Sequence, residues 1–156
     1  MTFDDAPGTR ERPAHRNGRG AHGRDTGRWL GSRADQYDRA DFAVLNAATG
    51  AFVGEVVLNE FSADDASADF RILLSGPAVY GKGYGTAATK MAVRYGFDCV
   101  GLHRVSLEAF DVNPRAQRVD EKCGFRAEGR KRDALLDGGR WHDSIIMGIL
   151  ATDPRP

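Results

Sequence analysis

Apolar positions change period part-way along the chain, and the change separates strands from helices. Residues 51–61 (AFVGEVVLNEF) and 68–74 (ADFRILL) are short, rich in Phe, Val, Ile and Leu, and bounded by turn residues, as strands are. Residues 42–45 read as a shorter strand before them. Asn46 to Gly50 is a turn in which Gly50 supplies positive φ, and residues 62–67 (SADDAS) form a second polar turn. These three segments therefore predict an antiparallel meander. From residue 84 the spacing becomes helical: Tyr84, Ala88, Met91 and Tyr95 fall at i, i+4, i+7 and i+11, predicting an amphipathic helix to Phe97. Val105, Leu107 and Ala109 alternate with polar residues and predict a strand over 103–110. Asn113-Pro114 is a cap followed by proline at the first helical position, predicting a helix that ends near Cys123 and stops at Gly124. Residues 126–136 and 140–150 flank Asp137-Gly138-Gly139 and read as a closing hairpin. In its second strand Trp141, Asp143, Ile145, Met147 and Ile149 share one face.

The order is βββ–α–β–α–ββ, an α+β arrangement in which helices interrupt a sheet. Residues 1–27 stand apart, with Gly at 8, 18, 20, 23 and 27, Pro at 7 and 13, and almost no large apolar side chains. Such a stretch buries too little surface to offset chain entropy and is expected to be a disordered tail. A faint helical face (Trp29-Leu30, Ala34, Tyr37) follows, and one domain over residues 28–150 is expected, with 151–156 as a short C-terminal tail. A chain of 156 residues suits a single domain with its own core.

Charge changes this picture little. Basic and acidic residues balance at 22 each, so no global field recruits nucleic acid or an anionic membrane. Residues 1–30 carry six Arg against four acids, and a solvated tail is the simpler reading of that excess. No apolar run approaches the ~18 residues of a membrane span, and the start has no signal-type apolar region. A cytoplasmic location is the expectation. Cys99 and Cys123 lack CxxC spacing and a nearby His, so two buried free thiols are expected, and no metal site.

The first chemical signal is Tyr80-Gly81-Lys82-Gly83-Tyr84-Gly85-Thr86, between a strand and a helix start. Glycines there let the backbone turn sharply and offer successive N–H groups to an anion at the positive helix end. Two other phosphate motifs come close. Gly76 to Lys82 resembles a Walker A loop, but residue 83 is Gly where the metal-binding hydroxyl belongs. Gly81, Gly83 and Gly85 with Glu108 suggest a dinucleotide fingerprint, but the spacing is G-x-G-x-G and a meander stands where the first strand of a doubly wound sheet is needed.

The combination discriminates between these readings. A meander ending in ADFRILLSG, then GKGYGT opening a helix, LHRVSLEAFDVNPRAQRV, EKCGF and a closing hairpin resembles the GNAT acetyltransferases over about Trp29 to Leu150. More narrowly it looks like the branch that acetylates N-termini of ribosomal proteins. The resemblance implies a mixed, mostly antiparallel sheet in which strands 68–74 and 103–110 are parallel neighbours that splay apart. Acetyl-CoA, or another short acyl-CoA, would lie with its pantetheine arm along the main chain of Ile72, Leu73, Leu74 and Ser75. Its pyrophosphate would sit on the amides of Gly81, Lys82, Gly83, Tyr84, Gly85 and Thr86, with Tyr80 at the start of the loop and Lys82 as a point charge. Asn113 would reach the arm from the other side, near Ala116.

The implied reaction is direct attack of an amine on the thioester in a ternary complex, the acceptor being a small molecule or a protein N-terminus. It needs a base for the amine, a donor for the oxyanion and an acid for the thiolate. The Leu74 backbone N–H is the expected oxyanion donor. Glu55, on a face with Val53 and Val57, is the first base candidate, ahead of Glu108 and Asp143, with ordered water as a further route. The family commonly carries Tyr as the acid where this chain has Asp120. An ionised Asp cannot donate, so either its pKa is raised, or solvent protonates the sulfur, or the domain binds acyl-CoA with weak or no catalysis. A complete domain of this family begins with another strand and one or two helices, which residues 1–27 do not resemble. Strand 42–45 would then be an exposed edge, which invites a homodimer.

Overall fold

The computed structural model describes residues 39–155; the expected tail at 1–27 and the faint helix at 29–37 lie outside the described residues. Six strands, β1 (Arg39–Leu45), β2 (Phe52–Ser62), β3 (Ser67–Leu74), β4 (Arg104–Phe110), β5 (Arg126–Asp137) and β6 (Arg140–Leu150), form one sheet in the order β1-β2-β3-β4-β6-β5. Helix α1 (Tyr84–Tyr95) crosses over between the parallel neighbours β3 and β4, and α2 (Pro114–Lys122) connects β4 to the closing hairpin. Every other pairing is antiparallel. The α+β class and the element order thus match the sequence reading.

Strand alternation divides the side chains between two faces. Val56, Leu58, Ala68, Phe70, Val105, Leu107, Ala109, Met147 and Ile149 point to the face covered by the helices, where they meet Ala88, Ala92, Val93, Phe97 and Phe125. Leu58, Val105, Met147 and Ile149 are essentially sealed from solvent, and each such side chain contributes about 1.5–3 kcal/mol of apolar burial. The opposite face carries Val53, Glu55 and Val57 on β2 and the polar residues Asp69, Ser106, Glu108 and Ser144 farther across.

Helix α1 departs from the expected stripe. Its buried residues are Ala88, Thr89, Ala92 and Val93, whereas Met91 is 73% exposed and Tyr95 is 38% exposed. Small side chains let the helix approach the sheet closely, and this requirement overrides the spacing of the larger apolar residues. Tyr95 instead meets Phe42 of β1 edge to face, at a ring-centroid distance of 5.0 Å. The α-helix ends at Tyr95, short of the expected Phe97, and widens into a π-type turn over Gly96–Val100 that closes on Gly101 in the left-handed conformation. Cys99 sits in that turn and is exposed, which corrects the expectation of two buried thiols; Cys123 is buried. In β6 the expected apolar face fails at its start, since Trp141 is 56% exposed beyond the end of β4.

Candidate active site

The glycine-rich loop has the backbone form of an anion cradle. After a 3-10 turn over Pro77–Val79 the chain extends at Tyr80, then takes positive φ at Gly81 (72°) and Gly83 (85°). A Cβ at either glycine would meet nothing within 4 Å, so glycine is required there by backbone conformation and not by crowding. Gly83 caps α1 with no side-chain hydrogen bond, and the first turn holds no acid. The leading amides, from Tyr84 to Thr86, therefore face outward at the positive end of a twelve-residue helix. Lys82 is exposed beside them. The Tyr84 hydroxyl accepts a hydrogen bond from Asn46 Nδ2, tying the helix start to the β1–β2 turn.

Beside the loop the sheet comes apart. Strands β3 and β4 pair only at Ser67↔Arg104, Ala68↔Val105 and Asp69↔Ser106, and beyond that point they have no ladder between them. The other side of β3 stays bonded to β2 through Leu74, and the Ser75 N–H donates to Val53 O at 2.9 Å. Alternation then sends the N–H groups of Ile72 and Leu74 away from β2, into the gap. An extended ligand can pair with them as an added strand. The Ser75 N–H is already engaged with β2 and is not available to such a ligand.

The close fit of β2 to β3 at this end depends on Gly54, which pairs with Leu74. A Cβ there would lie 2.4 Å from Leu73 O and 3.0 Å from Leu74 Cα, both backbone atoms. The β1–β2 register also slips here, because Val44 pairs with Gly54 and Leu45 with Phe52, leaving Val53 as an extra residue.

Helix α2 closes the site. Asn113 caps it, its Oδ1 accepting from Ala116 N at 3.1 Å, which leaves the side-chain amide nitrogen available to a ligand. A Cβ on Gly85 would stand 3.8 Å from both Leu74 Cδ1 and Val119 Cγ1, so the end of β3, the start of α1 and the middle of α2 converge on one spot. The Cys123 thiol adds a contact of 3.6 Å to Thr86 O. Burial, and behind it the Asp120 carboxyl, pushes this thiol above its ordinary pKa, which suits packing and not nucleophilic attack.

Asp120, next to Val119, is only 5% exposed. Among the described residues its carboxyl has no hydrogen bond or ion pair. Burial, reinforced by the nearby Glu121, raises its pKa to about 7. A carboxyl in that state is substantially protonated at neutral pH and can donate.

The three base candidates differ in their surroundings. Glu55 is half-buried on β2 between Ala43 and Leu73, on the face away from the helices. Glu108, on the same face of β4, pairs with Lys131 and accepts from the Ser144 hydroxyl at 2.9 Å. Asp143 is held by Arg130 Nε at 2.7 Å and accepts from Asp133 N at 2.9 Å. The last two are committed to structural contacts. Sequence reasoning missed His142, whose Nδ1 lies 2.9 Å from Asp111 Oδ1 at the carboxyl end of β4. Only their separation in sequence, 31 residues, concealed the pair.

Residues 8–126 match the acetyltransferase (GNAT) domain family, and the match begins within the stretch assigned above to a tail. A spermidine N(1)-acetyltransferase of Vibrio cholerae serotype O1 is 33% identical over 107 residues, which make up 69% of this chain and 61% of that protein. The chain thus spans about three-fifths of the length of the curated relatives it matches first. The solved spermidine N-acetyltransferase from V. cholerae in complex with CoA and spermine aligns with a TM-score of 0.74 at 28% identity, covering 81% of this chain and 74% of that one. A [ribosomal protein uS5]-alanine N-acetyltransferase of Escherichia coli is 30% identical over a shorter stretch of 76 residues, 49% of this chain and 39% of that protein.

Proposed function

Because the chain belongs to the acetyltransferase (GNAT) domain family, we propose that it transfers an acetyl group from acetyl-CoA to a primary amine, with polyamines of the spermidine type as its acceptors. The observation that carries this reading is the gap between β3 and β4, with the Leu74 N–H turned into it beside the uncapped start of α1. The fit to acetyl-CoA is good. The Tyr84–Thr86 amides hold the pyrophosphate, Ile72 and Leu74 pair with the pantetheine arm, and the Asn113 side-chain amide approaches from the α2 side. The Leu74 N–H stabilises the oxyanion of the tetrahedral intermediate. Asp120, buried and unpaired, supplies the proton to the departing thiolate in the place where the family commonly carries tyrosine. With the cofactor on the helix side of the gap, the acceptor enters from the opposite face. Glu55 there attracts a cationic amine. The similarity to spermidine acetyltransferases supports a polyamine over a ribosomal-protein N-terminus, because the similarity to the ribosomal enzyme spans much less of the chain. Self-association, cytoplasmic location and a domain over residues 28–150 complete the reading; among the described residues β1 and β5 are the sheet edges, and no helix is long and apolar enough to cross a membrane.

Two measurements test it. Thermal melts with CoA and acetyl-CoA should show stabilisation in the wild type and almost none in Gly83→Asp, which places a carboxylate at the phosphate site. Thiol release from acetyl-CoA should then depend on added spermidine and, more weakly, on an N-terminal peptide. Stabilisation without turnover on any amine would leave a cofactor-binding domain and remove the enzymatic reading. An equal response of Gly83→Asp would show that the cofactor site lies elsewhere.

A further inference from the structure

The amine must lose a proton before its nitrogen can attack, and the face opposite the helices carries a group equipped to take it. His142 lies on β6, two residues before Ser144, which pairs with Phe110, the last residue of β4. His142 is thus the next residue of β6 on that face, just past the end of β4, where the gap between β3 and β4 is open. Its Nδ1 is fixed by Asp111 Oδ1 at 2.9 Å, and its side chain is 15% exposed. Asp111 is anchored in turn, since its N–H donates to Asp143 O at 3.0 Å and its second oxygen faces Arg130 at 3.9 Å. The hydrogen bond from His142 comes first among the influences that hold the Asp111 carboxyl below the ordinary carboxylate range. Nε2 of His142 has no partner among the described residues. A base with one nitrogen held by a carboxylate and the other unengaged is the arrangement that general-base catalysis requires.

We infer that His142 is the general base for the acceptor amine and that Asp111 is its positioning residue, an assignment that rests on the acetyl-transfer reading above. The acceptor arrives as R–NH3+. Neutral His142 takes one proton at Nε2, directly or through one water, leaving R–NH2. The nitrogen lone pair then forms the C–N bond with the thioester carbonyl carbon, and collapse of the tetrahedral intermediate breaks the C–S bond. The nitrogen loses a second proton as the amide forms. Of the two protons it gives up, one is matched by the proton that Asp120 delivers to sulfur, and the other passes from His142 to solvent. The products are the acetamide, CoA thiol and one net proton. The charged groups around His142 are Asp111 from the β4–α2 loop, Glu108 from β4, and Arg130, Lys131 and Asp133 from β5, with Asp143 adjacent on its own strand; Leu135 lies across from it. Among the carboxylates, Glu108, Asp143 and Asp111 are all engaged with cations. His142, by contrast with these three, keeps an accepting atom, Nε2, that has no partner among the described residues.

The test uses the full chain with spermidine and acetyl-CoA, following thiol release across pH 5.5–9. The wild type should show kcat/KM rising with pH on the acid side and falling above about 7, where Asp120 loses the proton it must deliver. His142→Gln should lower kcat on the order of 100-fold, with KM for the amine changed by less than about threefold, and should lose the rising limb. Added imidazole should restore activity to His142→Ala and leave the wild type unchanged. Asp111→Asn should give an intermediate loss confined to kcat. CoA-induced thermal stabilisation, unchanged in each variant, certifies the fold and the cofactor site. If His142→Gln keeps the kcat and limb of an active wild type, or if Glu55→Gln removes the limb instead, the assignment is overturned while acetyl transfer stands. A wild type that binds CoA but acetylates no amine overturns both.

Discussion

Asp120 sets a pH dependence that can be worked out from its surroundings. Its folded pKa, about 7, lies above the unfolded value of 3.8 because burial disfavours the charged carboxylate. Between these values the folded state holds more protons than the unfolded chain, so stability is greatest at acid pH and declines as pH rises toward 7. At about 1.4 kcal/mol per pH unit, the decline amounts to roughly 4 kcal/mol and is complete above neutrality. Asp120→Asn removes the ionisation. Urea denaturation should find this variant more stable than wild type at pH 8, with the difference closing below about pH 4; parallel curves would contradict the raised pKa. The same variant should lose roughly 10–100-fold in kcat, since it cannot protonate the thiolate. Sequence alone identified the substitution at this position and the choice it posed. It could not resolve that choice, because desolvation depends on how α2 settles against α1 and β3. The pairing of His142 with Asp111 was hidden for a related reason: residues far apart in the chain meet only once β6 has found its register on β4.

Whole elements were easier to read than their contacts. The strand over 68–74, the Gly-rich turn, the strand over 103–110 and the Asn113-capped helix all stand where periodicity and capping residues put them. The parallel pair that separates past Asp69 and Ser106 agrees with what the resemblance implied. The face of α1 was misread in part: Ala88 of the expected stripe is buried, but counting large apolar residues favours Met91 and Tyr95 while close docking selects Thr89, Ala92 and Val93. Gly54 gave no signal either; a glycine inside an apolar strand does not disclose which backbone approaches it. Its role makes a test of the element pair. In Gly54→Ala the new methyl must displace the Leu73 carbonyl, which no rotamer change relieves. Loss of roughly 2 kcal/mol or more is expected, and the end of β3 should shift with it. Acetyl-CoA affinity should therefore fall in Gly54→Ala even at temperatures where the variant is fully folded, measured by calorimetric titration. Unchanged affinity would show that the Leu74 end of β3 does not contact the cofactor.

At the scale of the molecule, one core joins both helices to the sheet, and the proposed cofactor site lies where three of its parts meet. Phe70 of β3 packs against Phe125 beyond α2, with ring centroids 6.0 Å apart, while Val119 and Leu74 converge on Gly85 of α1. The residues proposed to position the ligand are thus continuous with those that hold the fold. A ligand bridging the end of β3, the start of α1 and α2 cannot be released by loosening one element without disturbing the others. Binding should therefore raise the stability of the whole described domain and not merely quiet a loop. By linkage, CoA at a hundred times its Kd adds about 2.7 kcal/mol to unfolding, a rise in Tm of roughly 5–11 °C for a domain of this size. Far-UV and near-UV circular dichroism should follow one coincident transition, displaced together by CoA. If CoA moved the near-UV signal alone, the site would be a locally ordered surface and the three-way junction would not transmit binding to the core. Coincident displacement, lost in Gly83→Asp and weakened in Gly54→Ala, would tie the phosphate loop, the gap and the core into a single cooperative unit.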